Sequence, residues 1–196
     1  MFYTIATSIV KVMFLIIFRV KLINVENFNN TKGRCIICSN HISNFDPIVL
    51  TCFTKRQISF MAKKELFMVP VVKTVVKWLN VFPVDRTGVT VSSMKHAVSI
   101  LKEDKVLGIF PEGTRVKSYD ENNAKAGISM IANMADSLVI PIFIRSNYKI
   151  FSKIEVVFGE PTYYFEGIEG RISSEMHAQI GKQILKDIYS LENRLS

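Results

Sequence analysis

The sequence predicts an α/β fold: a single-domain sandwich with a mostly parallel or mixed sheet flanked by helices, preceded by an N-terminal membrane-associated helix. Three observations carry that expectation. Short β-favouring apolar runs alternate with helix-like stretches along the chain. The polar segments with chemical potential follow strand ends, where such sheets gather function. Residues 2 to 18 are almost entirely apolar.

The first element is that apolar run. As a helix it would reach about 26 Å, short of the roughly 30 Å of bilayer hydrocarbon. Lys11 in its middle would cost about 2.5–3.5 kcal/mol at the bilayer centre. Thr4, Thr7, Ser8 and Lys11 follow i, i+3, i+4, i+7 spacing and form one polar stripe. Phe2, Ile5, Ile9, Val12, Met13 and Ile16 occupy the rest, and Arg19 and Lys21 follow. A helix lying in one leaflet fits this pattern; an apolar helix packed on the domain's own core is the other reading. No early basic region or small-residue cleavage site marks a signal peptide. Residues 1–22 thus read as the membrane-associated segment and 23–196 as one domain, without repeats or linkers.

Within that domain, residues 35–39, 58–62, 106–110, 139–144 and 154–158 read as strands, being short and rich in β-branched and aromatic types. Residues 47–53, 70–79, 89–102, 123–135 and 173–191 read as helices between and after them. Composition agrees: 48% hydrophobic against 21% charged residues offers enough apolar surface to offset chain entropy, which excludes long disorder. The 25 Lys and Arg against 17 Asp and Glu leave a charge of +8, suited to phosphate-rich partners. The positive charges are scattered among apolar runs, with no basic tail or arginine-rich block. That favours a membrane surface and membrane lipids over nucleic acid.

Three cysteines make no disulfide framework, and a reducing compartment follows. Cys35 and Cys38 form a C-x-x-C, but on a strand residues three apart point to opposite faces. No second pair or spaced histidine completes a zinc set, so both read as small core residues and no metal site is expected.

Chemistry concentrates in three places. The first is Ser39-Asn40-His41-Ile42-Ser43-Asn44-Phe45-Asp46-Pro47, where Asp46 reads as an N-cap and Pro47 as the first helical residue. His41 and Asp46 lie across one turn, close enough to meet. A carboxylate fixes a histidine tautomer and stabilises the imidazolium. Taken alone, such a pair is more often a structural hydrogen bond. No serine or cysteine stands in a nucleophile elbow, which leaves a substrate hydroxyl as the group a base would deprotonate. The second place is Phe110-Pro111-Glu112-Gly113-Thr114-Arg115, a strand end, a turn glycine and a guanidinium fork for phosphate or carboxylate. The third is Phe82-Pro83-Val84-Asp85-Arg86. Individually, both arginine segments also read as turns with solvated side chains.

Together these segments, in this order, resemble the glycerolipid acyltransferase family, in particular the 1-acylglycerol-3-phosphate acyltransferases. His41 and Asp46 match its His-x4-Asp block, and residues 112–115 its acidic-Gly-Thr-Arg block. Residues 82–86 resemble its intermediate arginine motif and 139–142 its final proline motif; Lys63 and Lys125 fall in further recurrent segments. The resemblance spans roughly residues 32 to 160. It implies that His41 is the general base, that Asp46 orients it, and that no cofactor is needed. The implied donor is an acyl-CoA or acyl carrier protein thioester, and the implied acceptor is lysophosphatidic acid. Arg86, Glu112, Gly113, Thr114 and Arg115 would bind the acceptor's phosphoglycerol, with Lys63 a further candidate.

The implied location is the cytoplasmic face of the cell membrane. Glycerol 3-phosphate or another lysolipid remains an alternative acceptor, and a non-catalytic lipid-binding protein an alternative class. A Ser-His-Asp hydrolase would need Ser39 or Ser43 as nucleophile. His96 and His177 lack a nearby acidic loop and are expected at the surface.

Overall fold

The computed structural model describes residues 2–63, 82–84 and 90–195. Helix α1 (Phe2–Ile17) leads into strand β1 (Arg19–Ile23) and the single turn α2 (Glu26–Asn29). Strand β2 (Cys35–Ser39), helix α3 (Asp46–Phe53) and strand β3 (Ile58–Lys63) follow. Then come β4 (Phe82–Val84), α4 (Val91–Lys102), β5 (Val106–Ile109), α5 (Gly127–Ala135), β6 (Leu138–Arg145), β7 (Lys153–Phe158) and α6 (Ser174–Ser190). The helix expected over 70–79 lies outside the described residues.

Six strands in the order β1-β7-β6-β2-β5-β3 form one sheet, and the short β4 extends it beside β3. Every pairing is parallel except β6 with β7. The expected mostly parallel α/β sandwich is the architecture found. Its central strands read as unbroken apolar runs because helices cover both faces. In β2, Ile36 and Cys38 face a layer built with α4, α5 and α6, while Cys35 and Ile37 face α1 and α3. Each such fully buried aliphatic side chain contributes about 1.5–3 kcal/mol. The two cysteines of the C-x-x-C therefore sit in opposite core layers, and burial pushes both thiols above their usual range.

Thr90 caps α4 by accepting from Ser93 N–H, and Ser173 caps α6 by accepting from Met176 N–H. Helix α1 packs one side on the core through Phe14, joined by Phe18 just after it, and leaves Ile9, Val12, Met13, Leu15 and Ile16 exposed. No helix among the described residues is long and apolar enough to cross a membrane.

His177 corrects one expectation: it is buried, not at the surface. The face of α6 that carries it also carries Ile180 and Ile184, and its Nδ1 lies 2.8 Å from the buried hydroxyl of Ser129 on α5. His96 is exposed on α4, edge-on to Phe82.

Candidate active site

Strands β2 to β6 run parallel to one another, so their C-terminal ends share one edge of the sheet. His41 follows β2, residues 112–115 follow β5, and Lys63 is the last residue of β3. Topology alone brings these sequence-distant segments together. Arg86, two residues beyond β4, lies outside the described residues.

His41 is fixed on four sides. Its backbone N–H donates to Glu112 Oε2 at 3.0 Å, and its carbonyl accepts from Val116 N–H at 2.9 Å. The imidazole stacks on Phe110 with centroids 4.1 Å apart. Phe110 in turn stacks on Phe60, whose ring occupies the space above Gly108; a Cβ at that glycine would lie 2.3 Å from the ring. Last, Nδ1 lies 2.8 Å from Asp46 Oδ2. An ionised carboxylate only accepts, so in the neutral ring Nδ1 carries the proton and Nε2 holds the lone pair. The side chain is 18% exposed, and no hydrogen bond reaches Nε2 from the described residues.

Asp46 does not cap α3 as expected. Phe45 is the N-cap residue, Asp46 begins the helix, and its carboxylate turns back over the preceding loop. Oδ2 accepts from Ile42 N–H and Ser43 N–H, both at 2.7 Å, as well as from His41. Oδ1 accepts from the Tyr148 hydroxyl at 2.7 Å. Asp46 is fully buried, yet four donors compensate its charge. Burial, together with the Asp46 charge, pushes the Tyr148 hydroxyl far above its usual range, so it stays a donor.

Glu112 is buried rather than on the exposed rim of the turn. Oε1 accepts from Tyr189 O–H at 2.8 Å while Oε2 holds His41 N–H. Burial raises its carboxyl above the ordinary range, against the opposing pull of the Tyr189 and His41 hydrogen bonds. Gly113 follows at φ +68°, a backbone that an L side chain resists, and makes the turn that exposes Thr114 and Arg115. No described carboxylate pairs with Arg115, so its fork is available to an anion.

The serines a hydrolase would need are occupied elsewhere. Ser39 Oγ is buried and donates to Asn40 O, and Ser43 Oγ accepts from Phe45 N–H. Three side chains that build the site were given no role from the sequence. The Asn40 amide clips the His41 loop to Ile144 N–H and C=O, Tyr148 holds Asp46, and Tyr189 holds Glu112. Each meets its partner from at least 77 positions away, and only the folded sheet brings them together.

The sheet edge presents a histidine–carboxylate pair with no serine or cysteine nucleophile beside it among the described residues, and the family model described as Acyltransferase matches residues 19–145. The 1-acyl-sn-glycerol-3-phosphate acyltransferase of Bacillus subtilis is 33% identical over 90% of this chain and 89% of its own length. The enzyme of that name from Streptococcus pneumoniae is 32% identical over 61% of this chain and 44% of its own. The crystal structure of the 1-acyl-sn-glycerophosphate acyltransferase PlsC from Thermotoga maritima superposes with a TM-score of 0.67 at 22% identity. It covers 97% of this chain and 78% of that one, a likeness of fold. The chain belongs to the 1-acyl-sn-glycerol-3-phosphate acyltransferase family.

Proposed function

We propose that this chain moves a fatty acyl group from a thioester of coenzyme A or acyl carrier protein to the free hydroxyl of 1-acylglycerol 3-phosphate, giving phosphatidic acid. The observation that carries the reading is His41: a carboxylate-fixed imidazole with an open Nε2 and, among the described residues, no protein nucleophile on it. The names of its relatives support the acceptor.

In this mechanism Nε2 takes the acceptor's hydroxyl proton as that oxygen attacks the thioester carbonyl. Asp46 stabilises the imidazolium so formed. The C–S bond then breaks, and the proton passes to the leaving thiolate. Glu112, through His41 N–H, and Tyr148, through Asp46, hold the pair in place. Thr114 and Arg115, with Gly113 shaping their turn, bind the acceptor's phosphoglycerol, and Lys63 and Arg86 complete its charge. Two guanidinium forks suit a phosphate dianion.

Residues 1–22 form the membrane-associated segment of the proposal, with α1 as its lipid-facing part, on the cytoplasmic face of the cell membrane. Residues 23–196 form the acyltransferase domain, although β1 crosses that boundary to pair with β7. The exposed row Ile9, Val12, Met13, Leu15 and Ile16 supports this placement.

The test is product formation. Purified chain supplied with 1-acylglycerol 3-phosphate and either acyl-CoA or acyl carrier protein thioester should yield phosphatidic acid by mass spectrometry. Glycerol 3-phosphate and other lysolipids should be poorer acceptors in the same panel. Absence of phosphatidic acid with both donors would sink the proposal.

A further inference from the structure

Exposed apolar surface gathers where α1 meets the loop between β6 and β7. Ile16, Ile150 and Phe151 are 69%, 73% and 68% exposed. They are neighbours by backbone bonding: Phe151 N–H donates to Ile17 O at 2.7 Å, and Arg19 N–H to Ser152 O at 3.0 Å. Phe151 is held at φ +63°, a region bulky L residues rarely enter, and the outcome is exposure instead of burial. A strained backbone that holds an aromatic ring in solvent needs a reason outside the fold.

The surroundings supply charge. Lys149 and Lys153 flank Ile150 and Phe151 in sequence, and Arg19 lies opposite Lys153 in the sheet register. Lys21 stands exposed two residues further along β1. Behind the loop a cleft of about 400 Å³ is lined by Lys153, Ser152 and Arg145, among others. Arg145 is already paired with Glu155 at 2.8 Å, which leaves Lys153 as the free charge of the cleft. Ser152 Oγ is buried without a hydrogen-bond partner among the described residues.

Strand direction places this patch at the edge that bears His41. β6 is parallel to β2, so the loop after it leaves the same edge as His41. β7 returns antiparallel and β1 is parallel to β7, which brings the start of β1 and the end of α1 to that edge too. Phe45, in the His41 loop and 43% exposed, packs on Phe14 of α1 and on Tyr148 of the β6–β7 loop.

We infer that the β6–β7 loop is a second lipid-surface contact, distinct from α1, by which the protein seats on an anionic bilayer. Ile150 and Phe151 enter the acyl layer, while Lys149, Lys153, Arg19 and Lys21 meet headgroup phosphates. This goes beyond the reading of α1 as lipid-facing and rests on it for the adjoining surface. It also turns the edge that bears His41 towards the lipid.

The test is sedimentation of the full chain with vesicles of phosphatidylcholine, with or without phosphatidylglycerol. I150S/F151S should lower partition onto the anionic vesicles roughly tenfold or more, and circular dichroism and the melting midpoint should not move. K149S/K153S should weaken binding to anionic vesicles and leave the neutral ones unaffected. The native cysteines are buried, so Ile150→Cys accepts an environment-sensitive dye selectively, and its emission should shift to the blue on vesicles. Partition is read without turnover, and His41→Ala should bind like wild type, so this inference and the proposed chemistry fail separately. Unchanged partition of I150S/F151S, or dye emission indifferent to vesicles, would overturn it. So would conversion of an oligomer to monomer by I150S/F151S with partition intact, because the patch would then be a self-association surface.

Discussion

His41 and His177 make the same first contact, Nδ1 at 2.8 Å from an oxygen, and differ in everything around it. His41 leans on a carboxylate that three other donors hold in place, and its far nitrogen faces the open edge of the sheet. His177 leans on a neutral hydroxyl between two packed helices and touches no carboxylate among the described residues. The second setting offers an imidazolium no counter-charge, and burial lowers the His177 pKa below its ordinary value. Contact distance does not make a base. The partner's charge and the access of the other nitrogen do.

The largest effects should separate the two residues. His41→Ala should cost about 10²–10⁴-fold in kcat, the usual share of a general base, with little change in the melting midpoint. His177→Ala should do the reverse, because it strands the Ser129 hydroxyl: about 1–3 kcal/mol of stability, read by denaturant titration, with kcat almost unchanged. Comparable loss of activity in both variants would erase the distinction.

Arg115→Ala comes next, at about ten- to a hundredfold in acceptor kcat/KM, because a charge-assisted contact is worth roughly 1.5–3 kcal/mol. Lysine should rescue it only partly, since a point charge does not copy the fork. Monoacylglycerol is the control: the variant should discriminate far less than wild type between it and 1-acylglycerol 3-phosphate. Equal losses on both acceptors would make Arg115 structural.

Tyr148→Phe removes one of the four donors on Asp46 and leaves the other three. We expect a fall in kcat of roughly three- to thirtyfold with KM unchanged. A raised KM with kcat intact would assign Tyr148 to acceptor binding instead.

The site was legible where it is local and hidden where it is not. His41 and Asp46 lie within one turn, so spacing alone suggested their meeting. The direction in which Asp46 points was not readable, because Asp before Pro looks the same whether it caps forward or folds back. Tyr148, beyond β6, meets Asp46 beyond the neighbouring strand β2, and Tyr189 meets Glu112 from the end of α6; both partners are distant in sequence, and no local pattern reports that. The strands with both faces buried were plain as apolar runs. β1 was not, since Arg19 and Lys21 alternate with apolar residues on an edge strand directly after an apolar helix. His177 was misjudged because a histidine among polar neighbours on an amphipathic helix shows its face only once α5 and α6 pack.

The smallest effect concerns pH. Unfolded His177 takes its proton near pH 6.5, whereas the folded residue does so only at lower pH. Its contribution to stability is therefore whole above about pH 6.5 and is lost as pH falls through the folded value. His177→Gln should flatten that part of the stability profile, measured by thermal melts across mildly acidic pH. An unchanged slope would place the acid sensitivity elsewhere.

Base catalysis by His41 needs a bare Nε2, with Asp46 holding the proton on Nδ1. The chain has three histidines, so ¹⁵N NMR of ring-labelled full-length protein in micelles can be assigned with one variant for each. With its ring neutral, His41 should show a protonated Nδ1 and an unprotonated Nε2. A His41 with its proton on Nε2 would have no lone pair to offer the acceptor hydroxyl and would contradict the account.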